Sequence, residues 1–217
     1  GDSLVSKKSI PAQNELDDPL RPQFHYTADS NFLSDPNGLV YYNGDYHLFH
    51  QYNPYDIRSG VPQHWAHAVS KDLVHWQRLA IAIYPHGGGN IWSGSAVVDK
   101  NNTSGLQTGV DPPIVAFYTW HKDFTQRMTY SNDGGKTWEE FEDNPVVEHI
   151  YGNNRDPKVF WHEPSGQWIM ILYVQKFEIF VSDNLKEWTN SVSMELKDFH
   201  ECPDFFELPV DGNTEDP

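Results

Sequence analysis

Residues 131–138 read Ser-Asn-Asp-Gly-Gly-Lys-Thr-Trp, and related segments recur at 70–76 (Ser-Lys-Asp-Leu-Val-His-Trp) and at 182–188 (Ser-Asp-Asn-Leu-Lys-Glu-Trp). The tryptophans that end these segments lie 62 and 50 residues apart (138 minus 76 and 188 minus 138). A four-stranded propeller blade takes about 40 to 50 residues plus its loops, so this spacing is typical of a β-propeller. We expect the Ser and Asp side chains to cap backbone amides and the Trp to pack between blades. The sequence therefore predicts an all-β fold with about three blades.

The segments between these turns have the residue pattern of strands. Aromatic and β-branched residues at 39–42 and 46–49 flank Asn43-Gly44, which suits a type I′ hairpin turn. Residues 159–162 and 168–173 repeat this plan around a Pro- and Gly-containing turn. Helical periodicity is almost absent, which supports the all-β prediction.

Composition limits the class of partner. The chain has 217 residues, with 31 Asp and Glu against 15 Lys and Arg, and a formal net charge of −16. A surface of this charge repels phosphate backbones and anionic lipid, so we expect neither a nucleic acid nor a membrane as partner. A neutral sugar is not repelled.

The chain carries no recognisable targeting segment. No run approaches the roughly 20 apolar residues that span a bilayer, and the first residues lack the pattern of a signal peptide. We expect a secreted or extracellular protein whose signal peptide is not present in this chain, with the cytoplasm as the alternative. Cys202, the single cysteine, is interpreted as a packed structural thiol.

Three short acidic motifs are the candidates for catalysis: Ser-Asp-Pro-Asn-Gly at 34–38, Arg-Asp-Pro at 155–157 and Glu-Cys-Pro at 201–203. Each sets a carboxylate beside a proline or within a turn-forming run, where the backbone is stiff. Cleavage of a glycosidic bond needs one carboxylate as nucleophile or base and a second carboxyl group as acid. The arginine beside Asp156 is expected to keep that third carboxylate ionised, which suits binding of sugar hydroxyls. Taken singly, each motif also fits an ordinary turn.

The motifs occur in a longer ordered set, and it is this set that carries a family resemblance. Around the acidic motifs stand Phe-His-Tyr at 24–26, His-Gln-Tyr-Asn-Pro at 50–54, His-Trp-Ala-His-Ala at 64–68 and Trp-Ser-Gly-Ser-Ala at 92–96. From about Arg21 to Leu208 the chain closely resembles glycoside hydrolase family 32, which includes invertases, inulinases, levanases and related fructosyltransferases. The resemblance implies a five-bladed propeller followed by a β-sandwich.

The same resemblance implies roles for individual residues. Asp35 would be the nucleophile, Glu201 the general acid/base, and Asp156 the stabiliser of the transition state. The implied substrate-binding residues are Asn37, Gln51, Trp65, Trp92, Ser93 and Arg155. Neither a cofactor nor a metal is implied. Ser34 and Ala66 depart from the family pattern, in which many members have Asn and Gly.

The resemblance therefore implies a retaining enzyme that hydrolyses terminal β-fructofuranosyl bonds in sucrose, inulin or levan. We expect residues 1–20 to form an N-terminal extension and residues 21–217 to form part of a catalytic propeller. The remaining blades and the sandwich would be absent from this chain. The sequence does not decide among the three substrates, nor does it indicate an oligomeric state.

Other classes of function remain open. A fructosyltransferase of the same family, an arabinanase-like glycosidase of family 43 and a non-catalytic sugar-binding propeller all fit the fold. The turn at 131–138 also fits sialidases, which use a tyrosine nucleophile and an arginine cluster. Only 15 Lys and Arg residues and a single Arg-Asp-Pro motif disfavour that class here. His64 and His67 suggest a metal site, although residues three apart on a strand point to opposite faces and no third ligand follows.

Overall fold

The computed structural model describes residues 19–22, 24–59, 62–198, 200–209 and 211–212. Among these residues it contains twelve β-strands and no helix. The strands are β1 (Phe32–Tyr42), β2 (Asp45–Asn53), β3 (His64–Ser70), β4 (Trp76–Arg78), β5 (Ile91–Val98), β6 (Ile114–Trp120), β7 (Thr125–Ser131), β8 (Glu139–Glu140), β9 (Arg155–His162), β10 (Gln167–Tyr173), β11 (Phe177–Ser182) and β12 (Thr189–Met194). The predicted N-terminal extension, residues 1–20, lies outside the described residues apart from its last two.

The strands form three antiparallel sheets, each made of four strands that follow one another in the chain. We call them blade 1 (β1–β4), blade 2 (β5–β8) and blade 3 (β9–β12). The first strands of the blades are neighbours, because β5 contacts both β1 and β9. Sheets that radiate from adjacent first strands are the blades of a propeller. The prediction of an all-β fold with about three blades is confirmed.

The first hairpin has the predicted turn. β1 pairs with β2 up to Tyr42 and Asp45, which leaves Asn43 and Gly44 as a two-residue loop. Both loop residues have positive φ, at 48° and 85°. A type I′ turn requires this conformation, and asparagine and glycine adopt it at low cost.

The three repeated turns share one hydrogen-bonding pattern. In each, a serine hydroxyl accepts the N–H of the residue two positions later, and that residue's side chain accepts N–H groups further on. The capping pairs are Ser70 with Asp72, Ser131 with Asp133, and Ser182 with Asn184. In the third turn the cap is therefore Asn184, while the neighbouring Asp183 accepts a bond from Gln167.

Two of the three tryptophans that end the turns pack between neighbouring blades, whereas Trp76 packs against Tyr26. Trp138 of blade 2 packs edge-on against Phe49 of blade 1, with ring centroids 5.4 Å apart. Trp188 of blade 3 packs in the same way against Phe117 of blade 2, at 5.8 Å. The predicted packing of tryptophan between blades is confirmed for both.

The apolar core fills the spaces between blades. One cluster joins blades 1 and 2 and includes Phe49, Trp65 and Tyr118. A second cluster joins blades 2 and 3 and includes Met128 and Met170. All five side chains are fully buried. Since these clusters set the spacing of the blades, they also fix the distances between β1, β5 and β9, which carry most of the candidate site residues.

A pair of buried histidines adds a polar contact inside blade 1. His47 Nδ1 and His67 Nε2 lie 3.0 Å apart, so one ring must donate and the other accept. His67 also stacks on Phe49, with ring centroids 4.2 Å apart. Burial lowers the pKa of His67 to about 3 and also lowers the pKa of His47. Both rings are therefore neutral in the folded chain near neutral pH.

This pair predicts a loss of stability in mild acid. An unfolded histidine has a pKa near 6.5, so the stabilisation is complete above about pH 6.5 and is lost as the pH falls towards the folded value. Between pH 6.5 and pH 5, His67 should lower the free energy of unfolding by about 2 kcal/mol. Chemical denaturation at each pH measures this change. His67→Gln, which keeps a polar partner for His47, should flatten the pH dependence, whereas the exposed His200→Gln should not. Identical slopes for His67→Gln and the parent chain would contradict the prediction.

Candidate active site

Asp35 lies on a distorted part of β1. The pairing of β1 with β2 shifts register between Leu33 and Pro36 and again between Asn37 and Val40. Bulges of this kind redirect side chains and are frequent beside active sites. Gly38 has a φ of 56°, and a Cβ there would lie 2.7 Å from the Phe49 ring. Glycine at this position therefore allows β1 to approach the core with Asp35 turned outward.

A chain of three hydrogen bonds ends on Asp35. The Ser93 hydroxyl, on β5, donates to Asp35 Oδ2 at 2.6 Å. The Gln51 amide, on β2, donates to Ser93 Oγ at 2.8 Å. Gln63 Nε2 in turn donates to Gln51 Oε1 at 2.7 Å. The nucleophile candidate is thus held from two neighbouring blades.

Asp156 is the second residue of β9, the first strand of blade 3, and is 8% exposed. Its backbone has a φ of 64°, its N–H donates to Thr119 Oγ1 at 3.0 Å, and its Oδ2 accepts the N–H of Cys202 at 2.9 Å. Ser95 ties β9 to β5 by bonding both Pro157 O and the N–H of Val159. A positive φ in a residue other than glycine is a strained conformation that persists only where its surroundings hold it, and it is frequent at functional sites.

The pKa of Asp156 is shifted in the direction opposite to the one that the neighbouring arginine alone would give. Burial instead raises the pKa of Asp156, and the Cys202 N–H and the Arg155 charge offset this only in part. The physical reason is position, because the Arg155 Nε is 3.7 Å from Asp156 whereas its Nη2 lies 2.7 Å from Glu201. Protonation of Asp156 in acid would remove an acceptor from the site.

Arg155 bridges the acidic groups. Its Nε and Nη2 both donate to Glu201 Oε2, at 3.1 and 2.7 Å, and its Nη1 donates to the carbonyl of Asn153. The guanidinium also lies over the ring of Tyr173, 5.0 Å from its centroid. These contacts fix the position of Glu201 relative to blade 3.

Glu201 stands at the start of a segment that runs beside β9. The paired contacts keep an offset of 45 or 46 residues: Arg155 with Glu201, Asp156 with Cys202, Lys158 with Asp204, Phe160 with Phe205, and His162 with Glu207. A constant offset means that the segment 200–209 follows β9 in the same direction. The segment 200–209 therefore lies beside β9 in the same way that β9 lies beside β5.

Cys202 is predicted from the sequence to be a packed thiol, but the structure shows it exposed. Its Sγ lies 3.6 Å from Asp156 Oδ2. Desolvation beside Asp156, together with the charge of that carboxylate, raises the pKa of the Cys202 thiol to about 12. The thiol is therefore protonated and a poor nucleophile at neutral pH.

One cavity, of about 540 Å³, is lined by all three carboxylates. A second cavity beside it contains Asp35 and Asp156 but not Glu201. Seven of the nine predicted site residues line the first cavity: Asp35, Gln51, Trp92, Ser93, Arg155, Asp156 and Glu201. The sequence motifs thus meet in one place although they lie on three different blades or segments.

The other two predicted site residues lie behind the cavity wall. Trp65 is fully buried, and its Nε1 donates to the carbonyl of Trp92 at 3.0 Å. Asn37 is 2% exposed, and its Oδ1 accepts the N–H of Gly94 at 3.2 Å. Trp65 thus ties β3 to β5, and Asn37 ties β1 to β5. Trp65 and Asn37 do not line the first cavity, although Asn37 lines the second.

Five lining residues were not predicted: Phe32, Ser34, Ser59, Gln63 and Asn153. Ser34 stands out in the sequence only as a departure from the family pattern. Gln63 comes immediately before the His64-Trp65 motif, but nothing in the sequence distinguishes it from a surface glutamine. Its place in the hydrogen-bond chain depends on the approach of blade 2.

The histidines that suggested a metal have separate surroundings. His64 lies against Tyr55 and Tyr84, whereas His67 contacts His47 and Phe49. In the described part of the chain, no three His, Cys, Asp or Glu side chains gather in the manner of a metal site. The same residues contain no helix that is long and apolar enough to cross a membrane.

Comparison with known proteins places the chain in a family. Residues 25–216 match the Glycosyl hydrolases family 32 N-terminal domain. The chain belongs to glycoside hydrolase family 32. A levanase from Bacillus subtilis is 51% identical over 206 residues, which cover 91% of this chain and 30% of the levanase. An extracellular exo-inulinase from Aspergillus niger is 38% identical over 235 residues, with 91% and 43% covered.

A solved family 32 structure agrees with the observed architecture. The β-fructofuranosidase of Schwanniomyces occidentalis, in complex with fructosyl-erythritol, superimposes with a TM-score of 0.84 and 43% identity. The match covers 90% of this chain and 41% of that enzyme. This chain therefore spans less than half the length of these three family 32 relatives.

Proposed function

We propose that the protein containing this chain hydrolyses terminal β-fructofuranosyl bonds of sucrose or fructans, with retention of configuration. The observation that carries the proposal is the cavity in which Asp35, Asp156 and Glu201 meet. Relatives named levanase and exo-inulinase support the substrate class.

Each carboxylate has a distinct part in the proposed reaction. Asp35 attacks C2 of the fructosyl unit, and because Ser93 holds Oδ2, we assign the attack to Oδ1. Glu201 protonates the leaving oxygen and later, as a base, takes a proton from the water that releases fructose. Arg155 holds its Oε2, so we assign proton transfer to Oε1.

Asp156 and the polar wall bind the sugar in this proposal. An ionised Asp156 accepts hydrogen bonds from fructose hydroxyls, and Gln51, Trp92, Ser93 and Arg155 line the rest of the cavity. The side chains of Asn37 and Trp65 support the wall from behind. No step requires a cofactor.

The proposal extends to the organisation and location of the protein. Residues 21–217 form part of a catalytic propeller, which further blades and a β-sandwich complete. The partial coverage of the relatives supports this proposal. The extracellular relatives support secretion.

Incubation of the protein, extended to the length of its relatives, with sucrose, inulin and levan tests the activity and the substrate range. Fructose is the expected product. Methanol added as a competing acceptor should give methyl β-fructofuranoside, because a covalent intermediate returns the original configuration.

The other outcomes separate the alternatives. The α-anomer would indicate an inverting, arabinanase-like mechanism. Fructose oligomers that dominate the products as the sucrose concentration rises would indicate a transferase. Sugar binding without release of fructose would indicate a non-catalytic propeller.

A further inference from the structure

We propose that Gln63 is a positioning residue that sets the direction of the hydrogen bonds reaching Asp35. The inference rests on the proposed function, since it takes Asp35 as the nucleophile. Gln63 does not contact Asp35; it acts through Gln51 and Ser93.

The direction of the chain follows from what each group can donate. An ionised carboxylate only accepts, so the single hydroxyl proton of Ser93 must point at Asp35. Ser93 must then accept from its other partner, and Gln51 must present its NH₂ group to it. The amide oxygen of Gln51 consequently faces Gln63, which must also present its NH₂ group. The orientation of each side chain therefore depends on the orientation of its hydrogen-bond partner.

Gln63 is itself held in place from blade 2. Its N–H donates to Asn90 Oδ1 at 3.0 Å, and its carbonyl accepts the N–H of Ile91 at 3.2 Å. Asn90 is 6% exposed and its amide nitrogen lies 3.5 Å from His121 Nδ1. Because the backbone of Gln63 is fixed, its side chain is a stable donor for Gln51.

The direction of these hydrogen bonds matters because two of the side chains that form them are buried. Gln51 and Ser93 are 5% and 7% exposed, so water can do little to replace a lost partner. If Gln51 turned its amide over, its oxygen would take the Ser93 proton, and a hydroxyl lone pair would face the carboxylate of Asp35. Such a contact is repulsive and would oppose ionisation of the nucleophile.

The other charged groups of the cavity do not substitute for Gln63. They are Arg155, Asp156 and Glu201. Within the described residues, the side-chain hydrogen bonds of these groups run to one another, to Asn153 and to Cys202. The hydrogen bonds that lead from Gln63 through Gln51 and Ser93 to Asp35 thus involve none of these three charged groups. They come from blades 1 and 2.

Substitution of Gln63 by glutamate gives the sharpest test, in the protein extended to the length of its relatives. A protonated glutamic acid at position 63 can donate to Gln51 as the amide does, whereas an ionised glutamate can only accept and so favours the reversed chain. For Gln63→Glu we expect kcat/KM to fall about 10- to 100-fold at neutral pH and the deficit to shrink as the pH is lowered.

Two further variants separate positioning from general damage. Gln63→Met removes the donor without adding an acceptor, so its smaller deficit should be the same at every pH. Gln77→Glu, at an exposed position of β4, adds the same charge away from the site and should leave the profile unchanged. An equal, pH-independent loss in Gln63→Glu and Gln63→Met would overturn the inference, as would a Gln63→Glu profile within about twofold of the parent.

A second readout does not depend on catalysis. The ¹³C chemical shift of the Asp35 carboxyl group at neutral pH reports its hydrogen bond to Ser93, and it should differ from the parent in Gln63→Glu but not in Gln77→Glu. An unchanged chemical shift in Gln63→Glu would contradict the inference even if fructosidase activity is present. A changed chemical shift in a protein that releases no fructose would support the hydrogen-bond chain while refuting the proposed function.

Discussion

Asp35→Asn and Glu201→Gln are each expected to lower kcat on sucrose or fructans by about 10³-fold or more. An asparagine at position 35 would be a very weak nucleophile, so the fructosyl-enzyme would not form. A glutamine at position 201 could neither protonate the leaving oxygen nor activate water, so both half-reactions would be slow. Steady-state release of fructose in the protein extended to the length of its relatives measures both effects.

The two variants can be told apart by a substrate that needs no acid. Fluoride leaves without protonation, so β-fructofuranosyl fluoride should give Glu201→Gln a burst of about one fluoride per active site, followed by slow turnover. Asp35→Asn should show no burst.

Turn carboxylates supply the control for this pair of variants. Asp183→Asn changes a carboxylate whose described partner is Gln167 and should keep the parent rate. A near-parent rate for Asp35→Asn, or a missing burst in Glu201→Gln, would remove that residue from its assigned role.

The fold could be predicted well because its signals are local. The Asn43-Gly44 turn and the three serine-led turns each depend on residues within eight positions of one another, and the structure contains them all. The apolar side chains that pack between blades follow from strand patterning. The spacing between successive turns then gives the length of each blade.

The candidate site could be predicted only in part, because its details depend on contacts between distant segments. Motifs identified the three carboxylates, but they could not show that bulges in β1 direct Asn37 inward while Asp35 faces the cavity. Nor could neighbouring residues in sequence reveal that Arg155 bonds Glu201, 46 residues away, more closely than Asp156. Such preferences arise only when blades pack.

Exposed apolar side chains on β1 and on the segment 200–209, the two outermost first-strand positions, are the basis of the second large expected effect. Leu39 and Tyr41 of β1 are 63% and 59% exposed, and Phe206 and Leu208 of the segment 200–209 are 65% and 64% exposed. In the other blades, the corresponding first strands have a neighbour on both sides, since β5 lies between β1 and β9 and β9 lies between β5 and the segment 200–209. Four exposed apolar side chains at these two positions favour association between copies of the chain.

Residues 1–217 alone are therefore expected to have less than about one hundredth of the activity of a protein extended through further blades, and to melt at a lower temperature. Catalysis requires the groups to be held within about half an ångström, and Glu201 sits on a segment that lacks a neighbour on its far side among the described residues. Fructose release and thermal melting of both proteins measure the difference. A monomeric 217-residue chain that melts cooperatively and works at full rate would show that the segment needs no further blade.

One substitution is expected to have opposite effects on the isolated chain and on the extended protein. Phe206→Ser should reduce association of the isolated chain, because it removes an exposed aromatic ring. In the extended protein the same change should lower the melting temperature, because Phe206 would there be buried against the next blade and its loss would leave a cavity. Val110→Ser, at a loop position that is 95% exposed, serves as the control and should change neither property. If Phe206→Ser left the extended protein as stable as the control does, the segment 200–209 would not be the first strand of a further blade, and the position of Glu201 would have to be maintained by the contacts of the segment with β9 alone.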